Sequence, residues 1–198
     1  MVHKRPDEAI QTLDSAIIET EEAIAESQDA IRELRSEPMA QNDLARLLTA
    51  MANELASSQD AEQNPPSFRV IVEGERRILL PAIQDEVYRI AREVLRNAFQ
   101  HASAHQVEAE IRYDVHAFRL RIRDDGKGIE PEVLKQGKRA GHWGLPGVRE
   151  RAQRIGAKLE LWSEAGAGTE VQLTVPAALA YETSRDRSRF RLFRRSKP

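Results

Sequence analysis

The stretch Leu80–His101 carries Ile83, Val87, Ile90, Ala91, Val94, Leu95 and Ala98 at helical spacing. It predicts an amphipathic helix whose apolar stripe needs a surface to cover. The segments after it supply one. Val107–Tyr113 and Phe118–Arg123 alternate apolar and polar residues around a turn at Asp114–Ala117, and Lys158–Ser163 and Thr169–Val175 do so around Glu164–Gly168. A period of two with one apolar side predicts half-buried antiparallel strands. Phe68–Val72 alternates in the same way. Leu44, Leu47, Leu48, Met51 and Leu55 mark a shorter helix before it, and Leu145–Ile155 a helix before the last hairpin. The order helix, strand, helix, hairpin, loop, helix, hairpin predicts an α+β fold over residues 41–176. It is a two-layer sandwich, with a mixed, mostly antiparallel sheet covered by helices on one face.

The flanks differ in charge. Residues 7–37 are strongly acidic, with Ile10, Ile17, Ile24 and Ile31 at heptad position a and Leu13 and Leu34 at d. Residues 1–37 therefore predict one helix of a bundle, or a helix laid on its own globular domain, since a helix this long and acidic needs a packed partner. Residues 177–198 hold seven arginines and lysines and no core pattern, which predicts a disordered basic tail. The formal net charge of −2 argues against a nucleic-acid coat, and no nucleic-acid contact is expected. With no cysteine, a disulfide scaffold and a Cys-ligated zinc site are excluded. No apolar run approaches the ~20 residues of a bilayer span.

Four clusters carry chemistry. On the helix, Arg89, Glu93, Asn97 and His101 recur every fourth residue and share a face. A carboxylate and an amide oxygen one turn apart suit a hydrated Mg2+, although the same face reads equally as solvated surface. Asp124-Asp125-Gly126-Lys127-Gly128 follows a strand. There Asp124 can accept a hydrogen bond from an exocyclic amine and the glycines permit close approach of a flat ring, or the run is a simple turn. Gly141–Gly147 opens a helix with free N–H groups, a phosphate cradle with Lys135, Lys138 and Arg139 just upstream. No Gly-Lys-Ser/Thr of a Walker loop occurs. Gly166-Ala167-Gly168-Thr169 turns into the last strand and brings Thr169 toward Asp124, or is a plain hairpin turn.

Taken in this order, the clusters resemble the ATP-binding domain of the Bergerat (GHKL) superfamily. Glu93-x3-Asn97-x3-His101-Ala102 is similar to its N box, Asp124-x-Gly126-x-Gly128 to its first glycine box, Gly141–Gly147 with Val148-Arg149-Glu150-Arg151 to its second, and Gly166–Thr169 to its Gly-Thr box. The run Gly-Leu-Pro-Gly-Val-Arg-Glu-Arg and the short lid resemble the histidine kinases that pair with NarL-type response regulators, and the acidic heptad helix resembles the second helix of their dimerisation domain. The resemblance implies ATP and Mg2+ as cofactors. It gives Mg2+ to Asn97, assistance of the phosphoryl acceptor to Glu93 and the adenine amine to Asp124. Gly126, Gly128, Gly144 and Gly147 would admit the nucleotide, Thr169 would complete the adenine network, and His101 and Leu145 would count among the nucleotide-binding residues. Gln100 stands where that family often has lysine, so Lys138 or Arg139 is expected to supply the phosphate contact.

In that class the phosphoacceptor is a histidine followed by an acid. The five histidines here precede Lys4, Ala102, Gln106, Ala117 and Trp143, so the acceptor helix is expected on a segment outside these residues. The resemblance implies the catalytic part of a cytoplasmic sensor histidine kinase, or of the cytoplasmic portion of a membrane-bound one. Its implied partners are the kinase's own dimerisation helix, a second copy in a homodimer, and a NarL-type regulator. The alternative is a GHKL protein that is not a histidine kinase, an anti-sigma-factor-type serine kinase or a nucleotide-sensing module.

Overall fold

The alternating segments pair into one five-stranded sheet in the computed structural model, which describes residues 43–58, 64–129 and 144–182. The helix expected over residues 1–37, Lys138 and Arg139 of the lid, and the chain beyond Glu182 lie outside the described residues. The strands are β1 (Ser67–Glu73), β2 (Gln106–Tyr113), β3 (Ala117–Asp124), β4 (Lys158–Glu164) and β5 (Gly168–Pro176), in the order β1-β2-β3-β5-β4. Three pairs are antiparallel, and β1 runs parallel to β2 with Val70 beside Ala109. A parallel pair needs a crossover, which the long helix between these strands supplies.

Each face follows from the period of two. Val107, Ala109, Ile111, Leu120, Ile122, Val171 and Leu173 point inward and are buried. The outer face is charged: Arg121 pairs with Glu110 and lies 3.9 Å from both Glu108 and Glu170, and Arg112 lies 3.8 Å from Glu73. Such exposed pairs add little stability, about 0–1 kcal/mol each. They keep the sheet one-sided, so the apolar layer forms only beneath the helices.

Helix α1 (Leu44–Ser57) starts at Asp43, whose carboxylate accepts from the Arg46 amide at 3.3 Å, and it buries Leu44, Leu48, Met51 and Ala52 against the next helix and β1. Helix α2 (Pro81–His101) begins with proline in its first turn, where the absent N–H loses no hydrogen bond. It buries Ile83, Val87, Ile90, Ala91, Val94, Leu95, Ala98 and Phe99. Full burial of each large aliphatic residue contributes about 1.5–3 kcal/mol. The helix stops where Ser103 turns left-handed at φ 52°. Helix α3 (Gly144–Arg154) packs on α2 and β4 through Val148 and Ala152.

The folded unit extends past the boundary expected at Pro176. A short helix α4 (Ala177–Ala180) follows β5, and Ala180 and Tyr181 are buried in the same core. The Tyr181 hydroxyl donates to the Ala117 carbonyl and accepts from the Asp114 amide, each at 3.2 Å, while the Arg77 guanidinium sits 3.9 Å from the ring centroid. Leu79 bridges to Tyr181, and the Leu80 amide donates to the Ala180 carbonyl at 2.8 Å. The apolar run Ala177–Tyr181 thus belongs to the described core, just ahead of the basic residues.

Candidate nucleotide-binding site

Asp124 ends β3, opposite Thr169 on β5 and Val107 on β2. It is the one buried charged residue among those described, 6% exposed. Its Oδ1 accepts from the Gly126 amide at 2.9 Å. Burial pushes its carboxyl above the usual carboxylate range, while the Gly126 and Thr169 backbones pull the other way. None of the ion pairs among the described residues involves it. A buried acid without a cation is expensive, and it suits a ligand that brings its own hydrogen-bond donor.

The glycines around Asp124 are required by close packing. A Cβ on Gly126 would lie 2.3 Å from the Ala102 carbonyl oxygen, and that oxygen also accepts from the Lys127 amide at 2.8 Å. Gly128 and Gly168 have φ of 72° and 88°, and a Cβ on either would fall about 2 Å from a carbonyl oxygen, of Glu164 and Asp124 respectively. The Gly166 amide donates to the Lys127 carbonyl at 2.8 Å, tying the two glycine turns together. Gly147 differs: nothing lies within 4 Å of the Cβ it lacks. There α3 faces open space.

Thr169 reaches Asp124 through its backbone. Its hydroxyl instead pairs with Ser163 Oγ at 3.0 Å. Ser163 Oγ also accepts from the Ile129 amide at 2.8 Å and donates to the Gly168 carbonyl at 3.0 Å. Glu93 and Asn97 sit half-buried on α2 and His101 is exposed at its end. Glu93 Oε1 accepts from Arg96 Nη2 at 2.9 Å, one turn along the helix. Gly144 and Leu145 begin α3. The structure thus joins Asp124, Gly126, Gly128 and Thr169 in one hydrogen-bonded platform at the end of the sheet. Glu93, Asn97 and His101 line the neighbouring helix, and α3 carries Gly144 and Gly147.

Two contributors went unread in the sequence. Asp125 Oδ1 accepts from the amides of His105 and Gln106 at 2.7 and 2.8 Å, which fastens the first glycine turn to the α2–β2 connection and holds its carboxyl below the usual range. Its place as the Asp of the Asp125-Gly126 dipeptide is the available signal, since Asp in turns commonly bonds nearby amides. Ser163 had no signal of its own in the sequence. A cleft of about 860 Å³ lies elsewhere, between the N-terminal half of α2, the C-terminal end of α3 and α4. Glu86 and Arg89, seven and four residues before Glu93 on α2, line it.

Known proteins share the fold that carries these residues. A family model described as histidine kinase-, DNA gyrase B-, and HSP90-like ATPase matches residues 82–179. The chain is 34% identical over 94 residues to the sensor histidine kinase LiaS of Bacillus subtilis, covering 48% of this chain and 25% of LiaS. It is 27% identical over 142 residues to the signal transduction histidine-protein kinase/phosphatase DegS of the same organism, covering 72% of this chain and 37% of DegS. The chain therefore spans between a quarter and two fifths of these relatives. The blue-light activated histidine kinase EL346 of Erythrobacter litoralis superposes with a TM-score of 0.52 at 25% identity, over 68% of this chain and 41% of that one. Its histidine kinase domain, solved separately, shares the fold at a TM-score of 0.53 and 22% identity, over 74% of this chain and 68% of that one. Among the described residues no helix is long and apolar enough to cross a membrane. Residues 82–179 thus form an ATP-binding region of the histidine kinase-, DNA gyrase B-, and HSP90-like ATPase kind, as found in sensor histidine kinases.

Proposed function

We propose that the chain is the ATP-binding catalytic part of a two-component sensor histidine kinase. It would pass the γ-phosphoryl group of ATP to a histidine on a segment outside these residues, for relay to a response regulator of the NarL type. The observation that carries this reading is the buried, cation-free carboxylate of Asp124 on its platform of tight glycines. A flat base would lie against the turns at Gly126 and Gly128, whose glycines are demanded by the protein's own backbone packing at Ala102 and Glu164, with its exocyclic amine donating to Asp124. Thr169, fixed by Ser163, keeps the carboxylate in place. Gly144 and Leu145 at the start of α3, with Gly147, leave room and free amides for the phosphates, and Lys138 and Arg139 add charge to them.

The residues fit Mg2+. Among those described, no three His, Cys, Asp or Glu side chains gather as a metal cage. Isolated oxygens such as that of Asn97 suit an ion that keeps water and substrate phosphates as its other ligands. Bound there, Mg2+ would neutralise charge on the phosphates. Glu93 orients the acceptor imidazole or takes its proton, which requires the Arg96 contact to open or be shared. The bond from γ-phosphorus to the ADP oxygen breaks as the phosphorus–nitrogen bond forms, and ADP leaves. Such catalysis is largely positioning and charge stabilisation. The heptad pattern read in residues 1–37, which lie outside the described residues, would suit pairing with the acceptor-bearing helix in a homodimer. A cytoplasmic location would give this part access to both ATP and the regulator.

The test is label transfer from γ-labelled ATP. The chain alone should acquire no acid-labile, base-stable phosphate, and adding a helix with a histidine followed by an acid should produce it on that helix. Label on the chain alone would overturn the assignment of the acceptor. ATP binding without transfer to any supplied helix would leave a nucleotide-binding module in place of a kinase.

A further inference from the structure

Helix α3 carries the phosphate cradle at its first turn, yet few apolar residues hold it. Among its described side chains only Val148 and Ala152 are buried. At its far end it is held electrostatically. Glu86, on α2, lies between two arginines of α3: Arg154 Nη1 is 3.4 Å from Oε1, and Arg151 Nη1 is 3.7 Å from Oε2. Arg154 is in turn held by Glu150 at 3.2 Å. The Glu86 side chain is 16% exposed, and its Oε2 is buried without a hydrogen bond, so the carboxylate depends on these two cations. The cleft of about 860 Å³ opens beside it, lined also by Leu80, Ile83, Ile155 and Leu179, so the charge contact works alongside a thin apolar contact at this end of the helix.

Glu86 stands seven residues before Glu93 on α2. Two helical turns place them on nearly the same face, about 10 Å apart along the axis. Neither Glu86 nor its arginines touches the platform around Asp124. We propose that Glu86 is a positioning residue. By clamping Arg151 and Arg154 it sets the separation between α3, with the phosphate cradle, and the Glu93–Asn97 face of α2. The inference rests on the nucleotide reading and deepens it: the adenine end is bound by a rigid sheet platform, and the phosphate end by a helix that one ion-pair cluster holds in place.

The consequence is selective. Neutralising Glu86 should loosen the grip on the β- and γ-phosphates and leave the grip on the adenosine end intact. Calorimetric titration of the full chain with ATP and with AMP, both with Mg2+, reads this directly. Glu86→Gln should weaken ATP about tenfold and change AMP by less than twofold. Reversing all three charges, E86R with R151E and R154E, should restore most of the ATP affinity. Amide hydrogen exchange supplies a second readout, in which α3 opens more readily in Glu86→Gln while β3 and β5 keep their protection. Equal losses for ATP and AMP, or unchanged ATP affinity, would overturn the positioning role. If the unsubstituted chain bound neither ATP nor AMP, the nucleotide reading itself would fall and this inference with it.

Discussion

Replacing Asp124 by Asn keeps the shape of the platform and removes its buried charge. If Asp124 accepts a hydrogen bond from the adenine amine, that bond is charge-assisted, worth about 1.5–3 kcal/mol. Its loss lowers ATP affinity by about 10- to 150-fold. Inosine triphosphate sharpens the measurement, because it places a carbonyl where adenine has the amine. Against the native carboxylate two acceptors then face each other, so the unsubstituted chain should prefer ATP by a similar factor. Asn can turn either its oxygen or its amide nitrogen toward the base, so the preference should shrink to a few-fold. Calorimetry with both nucleotides on both proteins completes the square. The pH dependence has a definite sign. Burial raises the Asp124 carboxyl above its ordinary 3.8. Its contribution to the empty fold is therefore favourable at low pH, where it is protonated, and is lost as pH rises through the raised value. Base binding needs the charged form, so affinity falls on acidification at a higher pH than an ordinary aspartate would give. Unchanged ATP affinity in Asp124→Asn, or equal binding of the two triphosphates by the native chain, refutes the adenine assignment.

Asn97→Ala should weaken ATP binding more with Mg2+ present than with a chelator, by about tenfold against about twofold, because its oxygen serves the ion and not the base; equal losses in the two titrations would mean that Asn97 is misplaced. Gly126→Ala should destabilise the fold by several kcal/mol or prevent folding, given the backbone oxygen 2.3 Å from the added carbon, whereas Gly147→Ala meets open space and should raise stability by about 0.5–1 kcal/mol while weakening ATP. Urea unfolding of both variants, with titration of the second, checks the pair. Asp125→Ala removes the acceptor of two backbone amides and should cost about 1–2 kcal/mol near pH 7. Since the native Asp125 carboxyl is lowered below 3.8, that stability is present above 3.8 and disappears as pH falls through the lowered value, so the two unfolding curves should converge in acid.

Periodicity made α2 and the four antiparallel strands legible, because an apolar stripe every three or four residues, or every second one, reports directly which side is buried. The same alternation in Phe68–Val72 says nothing about which strand lies beside it. The parallel pairing with β2 follows from where α2 packs, a tertiary fact. The clasp by Tyr181 was hidden for a different reason. Its apolar run is five residues long and abuts a basic segment, so composition outweighed pattern, and only the partners Asp114, Ala117 and Arg77 reveal its place. At the candidate site, Asp124 and the glycines were legible as types at a spacing. Asp125 bonds amides twenty and nineteen residues away, and Glu86 meets arginines sixty-five and sixty-eight residues away, distances over which a single sequence carries no local signal.

Asp43, at the entry to α1, lies 3.2 Å from Arg76, and Glu182 donates its amide to the carbonyl of Ile78 at 3.0 Å. Both ends of the described fold therefore meet one short segment, two residues apart, at the end of the sheet away from Asp124. Among the described residues, both ends are thus pinned at one point, which can serve as a suspension for the sheet and α2. The 21 residues of α2 make an arm about 30 Å long, and a rotation of about 20° at the suspension sweeps its far tip through about 10 Å. No hydrogen bond of the sheet or of the platform around Asp124 has to break for that sweep, so the described fold can turn as one body.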